Sequence, residues 1–96
     1  MKPSEALDER RELVRDAARR FCTTNLRYFG SALHGHDREG SDLDILVDAM
    51  PGTTLFDLGG LQVELEALLG VPVDVLTPGD LPAKFRERVL AEARPV

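Results

Sequence analysis

Three aspartates stand inside apolar sequence. Asp42 and Asp44 alternate with Leu43, Ile45 and Val47 in SDLDILVD, and Asp74 lies within VPVDVL. Side chains of an extended chain point to alternate faces. Leu43, Ile45 and Val47 therefore share one face, the core-facing one. Asp42, Asp44, Leu46 and Asp48 share the other. The later run reads alike, with Val73 and Val75 on one face and Asp74 and Leu76 opposite. If the two strands are neighbours, Asp42, Asp44 and Asp74 meet on one face of a sheet. Two unit charges about 4 Å apart interact by about 4 kcal/mol at an effective dielectric near 20. Carboxylates so placed take up protons or destabilise the fold unless something compensates them. Mg²⁺ is a natural compensation, held by one or two carboxylates plus phosphate oxygens. A pair of such ions stabilises both the attacking and the leaving oxygen in phosphoryl chemistry. Asp-x-Asp alone also suits a solvated strand edge, and a lone Asp74 a cap. The matching parity of two strands is what favours metal ligation.

Gly30-Ser31 follows the apolar-aromatic run Leu26 to Phe29. Glycine lets a phosphate approach the backbone, N–H groups that open a helix favour anions, and the serine hydroxyl adds a donor. A tight turn with Ser31 as helix N-cap explains the same pair without a ligand. The remaining candidates carry less. His34 and His36 could bind a metal, but they sit in polar sequence where a solvated imidazole is the default. Cys22 reads as a small buried hydrophobe at a helix end. Lys84, Arg86 and Arg88 read as a solvated helix face that could meet an acidic partner, and Glu64 and Glu66 as solvent-facing.

The elements that must position these residues follow from periodicity. Pro3-Ser4 opens a first helix, with Ser4 as cap, Glu5, Asp8 and Glu9 near its positive end, and a stripe of Leu7, Val14, Ala17, Ala18 and Phe21. Thr23-Thr24-Asn25 ends it, and Leu26 to Phe29 is a short strand. Ala32 to His34 makes a turn or two of helix, and His36 to Gly40 is loop. Leu43 to Val47 is the second strand. Leu55 to Leu69 is a helix presenting Phe56, Leu58, Leu61, Leu65, Leu68 and Leu69 on one side, with Gly70 as its C′ residue. Val71 to Leu76 is the third strand. Thr77-Pro78-Gly79 turns into a last helix from Asp80 to about Ala93, Pro82 lying in its first turn. The order α-β-α-β-α-β-α describes an α/β (α+β) chain, a small sheet covered by helices.

With 96 residues, a single domain over 1–96 is expected. The net charge of −5 argues against direct nucleic-acid binding, which needs basic patches, and with no Trp and one Tyr the usual stacking platforms are scarce. It does not exclude a nucleotide held through cations, which invert local charge logic. One cysteine makes no intramolecular disulfide. The charged start MKPSEALDERRELV is no signal peptide, and no apolar run approaches a membrane span, so no membrane is expected and a cytoplasmic protein is the default.

Taken together, the spacing has a parallel. Gly30-Ser31, ten residues, then Asp42-x-Asp44 in an apolar strand resembles the signature of the DNA polymerase β-like nucleotidyltransferase superfamily. FGSALHGHDREGSDLDILVD looks most like its minimal members, the MNT domains. LFDLGGLQVELEALLGVPVDVLTP also resembles them, with Asp74 matching the third carboxylate. The resemblance runs from Phe21 to Pro78 and implies the nucleotidyltransferase fold, with a small mixed sheet. It implies that Gly30 and Ser31 contact the β- and γ-phosphates of ATP and that Asp42 and Asp44 bridge two Mg²⁺ ions. Asp74 would hold the ion that activates the acceptor hydroxyl. Ser41 would fix the loop or contact a phosphate. Many members carry arginines where this chain has Ala32 and His34, and Arg38 is the nearest substitute.

Stand-alone MNT proteins resemble the antitoxins of type VII-like HEPN/MNT toxin–antitoxin pairs. That resemblance implies a protein adenylyltransferase that moves AMP onto a tyrosine of a HEPN ribonuclease toxin, with which it forms a hetero-oligomer. Half of the usual cleft would be missing, so the partner would supply the acceptor. A non-catalytic antitoxin acting by steric binding is the first alternative. Transfer to a small molecule or an RNA end is the second.

Overall fold

The computed structural model describes residues 1–96. In chain order the elements are helix α1 (Pro3–Glu9), helix α2 (Arg11–Arg20), strand β1 (Thr23–Phe29), the one-turn helix α3 (Ser31–His34), strand β2 (Leu43–Ala49) and helix α4 (Leu55–Leu69). Strand β3 (Val73–Leu76), a 3₁₀ turn (Pro78–Asp80), helix α5 (Ala83–Glu92) and strand β4 (Arg94–Pro95) complete it. The strands form one mixed sheet in the order β3-β2-β1-β4. β2 runs antiparallel to β1 and parallel to β3, with α4 as the crossover between β2 and β3.

One face of the sheet carries the core. Leu26, Leu43, Ile45, Val47 and Val73 pack beneath Ala6 and Leu7 of α1, Val14, Ala17 and Ala18 of α2, and Leu61, Leu65 and Leu69 of α4. The parity expected for β2 holds, with one difference. Leu46, on the acidic face, is fully buried because the 3₁₀ turn packs over β2 and sinks Leu81 against that side. Burying a leucine side chain yields about 2 kcal/mol, so this small second apolar layer fixes the turn beneath the acidic residues.

Several boundaries differ from the sequence expectation, each for a local reason. The first helix is two. At Arg10 (φ −133°, ψ 26°) the backbone breaks and the Arg10 N–H donates to the Leu7 carbonyl. The break lets α1 pack on α3 and α4 while α2 packs on α4 and β1. Ser4 does not cap α1; Lys2 is its N-cap residue, and the Lys2 N–H donates to the Glu5 side chain at 2.9 Å. β1 begins at Thr23, earlier than expected. Thr23 and Thr24 pair with Ala49 and Asp48, and a bulge carries Asn25 at φ 52° before regular pairing resumes at Arg27. Cys22 is exposed rather than buried, at φ 58° in the turn between α2 and β1. Phe56 is 92% exposed, because the core side of α4 is carried by Leu61, Leu65 and Leu69. Gly70 ends α4 in the left-handed conformation, as its position foretold. The last helix starts only at Ala83: Pro82 forces Leu81 into an extended conformation (φ −75°, ψ 137°), which separates the 3₁₀ turn from α5. β4, which no pattern announced, pairs with Arg27 and Tyr28 of β1.

Candidate active site

The parallel register of β2 and β3 places Asp44 opposite Asp74, and Ile45 opposite Val75. On the other side of β2, Asp44 pairs with Phe29, the residue before Gly30. A row thus runs across the sheet from Phe29 through Asp44 to Asp74, on the face away from the main core. Asp42 stands two residues ahead of Asp44, just before β2 begins, and is exposed.

Gly30 closes one end of this row. It is the N-cap of α3, at φ 73° and ψ −146°. Any Cβ built there would collide with the Asp44 carboxylate. The glycine is favoured twice over, by its backbone conformation and by the Asp44 oxygen that fills the place of a Cβ. Ser31 is the first helical residue and not the N-cap that the sequence suggested.

The electrostatics are those of an uncompensated acidic site. Burial, and then the charges of Asp74 and Asp42, push the Asp44 carboxyl up to about 6. No cationic side chain relieves it. Arg27, the nearest arginine in the sheet, donates instead to Asp48 at 2.6 Å, and Asn25 also donates to Asp48. None of Asp42, Asp44 or Asp74 takes part in a salt bridge. Nor do three His, Cys, Asp or Glu side chains converge tightly enough to enclose a metal ion by themselves. This donor set nevertheless fits Mg²⁺. It offers only hard oxygen ligands, it is short of positive charge, and Mg²⁺ needs one or two carboxylates when phosphates and waters complete its shell.

The loop from Gly35 to Asp42 is held at both ends. Its middle is anchored by Asp37, 4% exposed, whose Oδ2 accepts the Ser4 N–H of α1 at 2.8 Å. Burial opposes ionisation of Asp37, but the hydrogen bonds from Ser4, its own backbone N–H and the charge of Lys2 together outweigh it and hold the carboxyl below its ordinary range. Ser41 closes the other end: its Oγ accepts the Arg38 N–H at 2.9 Å, and its own N–H donates to the Arg38 carbonyl at 3.0 Å. Asp37 escaped the sequence reading because nothing local marks an acid that caps a helix more than thirty residues away.

β3 is an edge strand, and α4 satisfies its outer N–H groups. Val73 N–H donates to Glu66 Oε2 at 3.1 Å and Val75 N–H to Gln62 Oε1 at 3.3 Å. These two side chains, four apart on one helix face, therefore fix the strand that presents Asp74. Glu66 is not the solvent-facing acid expected of it, and Glu64 pairs with Arg20 at 3.0 Å. Arg86 also departs from a solvated role, donating to the carbonyls of Pro78 and Leu81 and so pinning the turn after β3. Ala32 is buried, and His34 pairs with Glu92 of α5 at 3.1 Å, so α3 presents no free cation. His34 and His36 stand with ring centroids 6.3 Å apart and hold no metal cluster between them.

Comparison with known proteins places this arrangement. The model of the nucleotidyltransferase domain matches residues 8–96. A Methanocaldococcus jannaschii protein assigned as a protein adenylyltransferase is 45% identical over 65 residues, 68% of this chain and 70% of its own length. Protein adenylyltransferase MntA of Thermococcus cleftensis is 38% identical over 73 residues, covering 76% of this chain and 74% of its own. Among solved structures, one described as a minimal nucleotidyltransferase superposes with a TM-score of 0.86 at 44% identity, over 97% of this chain and 95% of that one. A toxin–antitoxin structure with AMP-PNP shares the fold at a TM-score of 0.70 and 20% identity, over 97% of this chain and 71% of the other. No helix here is long and apolar enough to cross a membrane. On the family match and these relatives, the chain belongs to the nucleotidyltransferase family and is a nucleotidyltransferase resembling MntA.

Proposed function

We propose that residues 1–96 form one minimal nucleotidyltransferase domain that transfers AMP from ATP to a tyrosine of a HEPN ribonuclease toxin, acting as its antitoxin in a hetero-oligomer. The observation that carries this reading is the register of β2 and β3. It sets Asp44 beside Asp74, with the Asp44 carboxylate filling the space a side chain at position 30 would take, so that the acidic row ends at the Gly30 turn. Relatives of this chain are named as protein adenylyltransferases, and the fold recurs in toxin–antitoxin structures, one of them holding AMP-PNP.

In this reading Asp42, Asp44 and Asp74 hold Mg²⁺, which supplies charge neutralisation for the triphosphate and the leaving pyrophosphate. Gly30 and Ser31 take the β- and γ-phosphates at the turn that opens α3, with the Ser31 hydroxyl as a donor. Ser41 holds the loop that leads into Asp42 and leaves its hydroxyl available to a phosphate. Asp74, exposed at the open end of the row, faces the incoming acceptor. The tyrosine oxygen bonds to the α-phosphorus, and the bond from that phosphorus to the bridging oxygen of pyrophosphate breaks. Asp74 accepts the phenolic proton and passes it to solvent. Positioning and charge stabilisation do most of the work in such a transfer.

The test is incubation with Mg²⁺, α-labelled ATP and the product of the adjacent gene. Label moves to the partner with the wild type and not with Asp44→Ala. If wild type and variant label the partner equally, or neither does, the reading fails. One observation favours binding without catalysis: α3 offers no free cation for the triphosphate, since Ala32 is buried and His34 is engaged with Glu92. Full protection of cells by a chain lacking all three aspartates would support that reading instead.

A further inference from the structure

α4 carries an apolar line on the side that faces away from the sheet. Phe56, Gly59, Val63 and Ala67, three to four residues apart, share that side and are all exposed, Phe56 and Val63 among the most exposed large apolar side chains of the molecule. Leu55 extends the line, as does Met50 in the turn before the helix. A surface helix normally turns charged residues outward. Here all four polar side chains of α4 are engaged within the chain instead. Asp57 accepts the Thr54 N–H, Gln62 the Val75 N–H and Glu66 the Val73 N–H, while Glu64 pairs with Arg20. None of them lies on the outer line.

Gly59 adds an independent observation. A glycine inside a helix costs about 0.5–1 kcal/mol relative to alanine. Gly60 has a reason within the chain, because the Phe21 ring lies where its Cβ would be. Gly59 has none: nothing beyond its own stretch of helix comes within 4 Å of its Cβ position. A bare position in the middle of an exposed apolar line suits the close approach of another chain. Phe56 stands three residues before that gap and Val63 four after it. A two-fold axis beside Gly59 therefore brings Phe56 of each copy toward Gly59 and Val63 of the other, the self-complementarity of an isologous interface.

The place of the line in the fold selects its occupant. α4 covers the core face of the sheet, whereas Asp44 and Asp74 lie on the opposite face. An acceptor has to reach the carboxylates and so engages that opposite face. We propose that the outer line of α4 is the contact between two copies of this chain, α4 packed against antiparallel α4, with both acidic faces outward and open. The choice of a second copy over the acceptor rests on the transfer reading; the exposed face does not. One helix side and its leading turn suit an interface at the small end, under about 1,200 Å² in total, so the dimer dissociates on dilution.

Sedimentation velocity of the full chain over a dilution series tests it. The wild type should pass from monomer to dimer as concentration rises. Phe56→Glu and Val63→Glu alter side chains that are mostly exposed, so both variants should keep the wild-type urea midpoint. Each should weaken association by roughly 30-fold or more, the loss expected for a central anchor. Gly59→Leu adds apolar surface and a better helix former, yet it should weaken association too, because it fills the gap. A wild type that stays monomeric overturns the inference, as do glutamate variants that associate like the wild type. Stronger association of Gly59→Leu overturns it as well, since that marks unspecific adhesion. If the wild type is monomeric and Phe56→Glu abolishes binding to the product of the adjacent gene, the face belongs to that partner and the inference falls. Transfer of label should persist in both glutamate variants. Absence of transfer from a wild type that dimerises would overturn the transfer reading and leave the self-association in place.

Discussion

At Gly30, φ 73° and ψ −146° lie in a region that side-chain-bearing residues occupy at a cost of about 1–3 kcal/mol. A methyl group there also meets the Asp44 carboxylate. Gly30→Ala should therefore lower stability by about 2 kcal/mol in urea denaturation and abolish transfer, both on the same residue. Asp44 gives a prediction in pH. Its folded-state pKa of about 6 lies above the value near 3.9 of an unfolded chain. Between those values the native state holds a proton that the unfolded state has released. The contribution of Asp44 to metal-free stability is thus most favourable below pH 4 and is lost as pH rises through 6. Asp44→Asn should gain on the wild type over that interval, measured as the difference between paired urea titrations. Residues of this kind were legible in the sequence because parity and spacing encode them. Asp37 was not, since its partner Ser4 comes from the far end of the chain.

Among the elements, β3 is the one whose position decides where Asp74 stands, and it is held at its outer edge by side chains rather than by another strand. Glu66→Ala should leave the Val73 N–H without its partner. The expected cost is about 1 kcal/mol, with faster hydrogen exchange at Val73 than in the wild type and little change in β1. The central strand β2 was readable because its alternation is strong, and α4 from its leucine-rich length and the Gly70 stop, although its weak periodicity misplaced Phe56. Boundaries failed where a single residue overrode the pattern: the backbone break at Arg10, Pro82 acting on Leu81, and the two threonines drawn into β1 by pairing with β2. β4 consists of Arg94 and Pro95 alone, too short for any periodicity to register.

Across the whole molecule, charge is separated by face. One face of the sheet is sealed by three helices, and the other carries Asp44 and Asp74 with no ion pair to offset them. A cation that binds only the folded chain stabilises it, by about 2.7 kcal/mol at a hundred times its dissociation constant. Adding Mg²⁺ should raise the melting temperature of the wild type at pH 7 and leave that of a variant with Asp42, Asp44 and Asp74 all changed to Asn unmoved. An equal shift in both would place the ion elsewhere. The fold class was legible from the alternation of helices and strands. The exposed line on α4 was not, because the helix is apolar on every side and its sequence does not say which side the sheet takes.

The mixed topology of the sheet also sets an order of assembly. β1 and β2 meet across the shorter connection, α3 and its loop, whereas β3 joins only after the longer chain through α4 has crossed over. Local pairings form sooner than distant ones, because loop closure is entropically cheaper. Gly30 and Asp44 are therefore in place early, and the repulsion between Asp44 and Asp74 is met at the final pairing. Refolding of the metal-free chain should then be slower at pH 7 than at pH 5, and in Asp44→Asn this difference should shrink in stopped-flow measurements. The charge pattern read above as a binding site would thus act, before any ligand arrives, as a brake on the last step of folding.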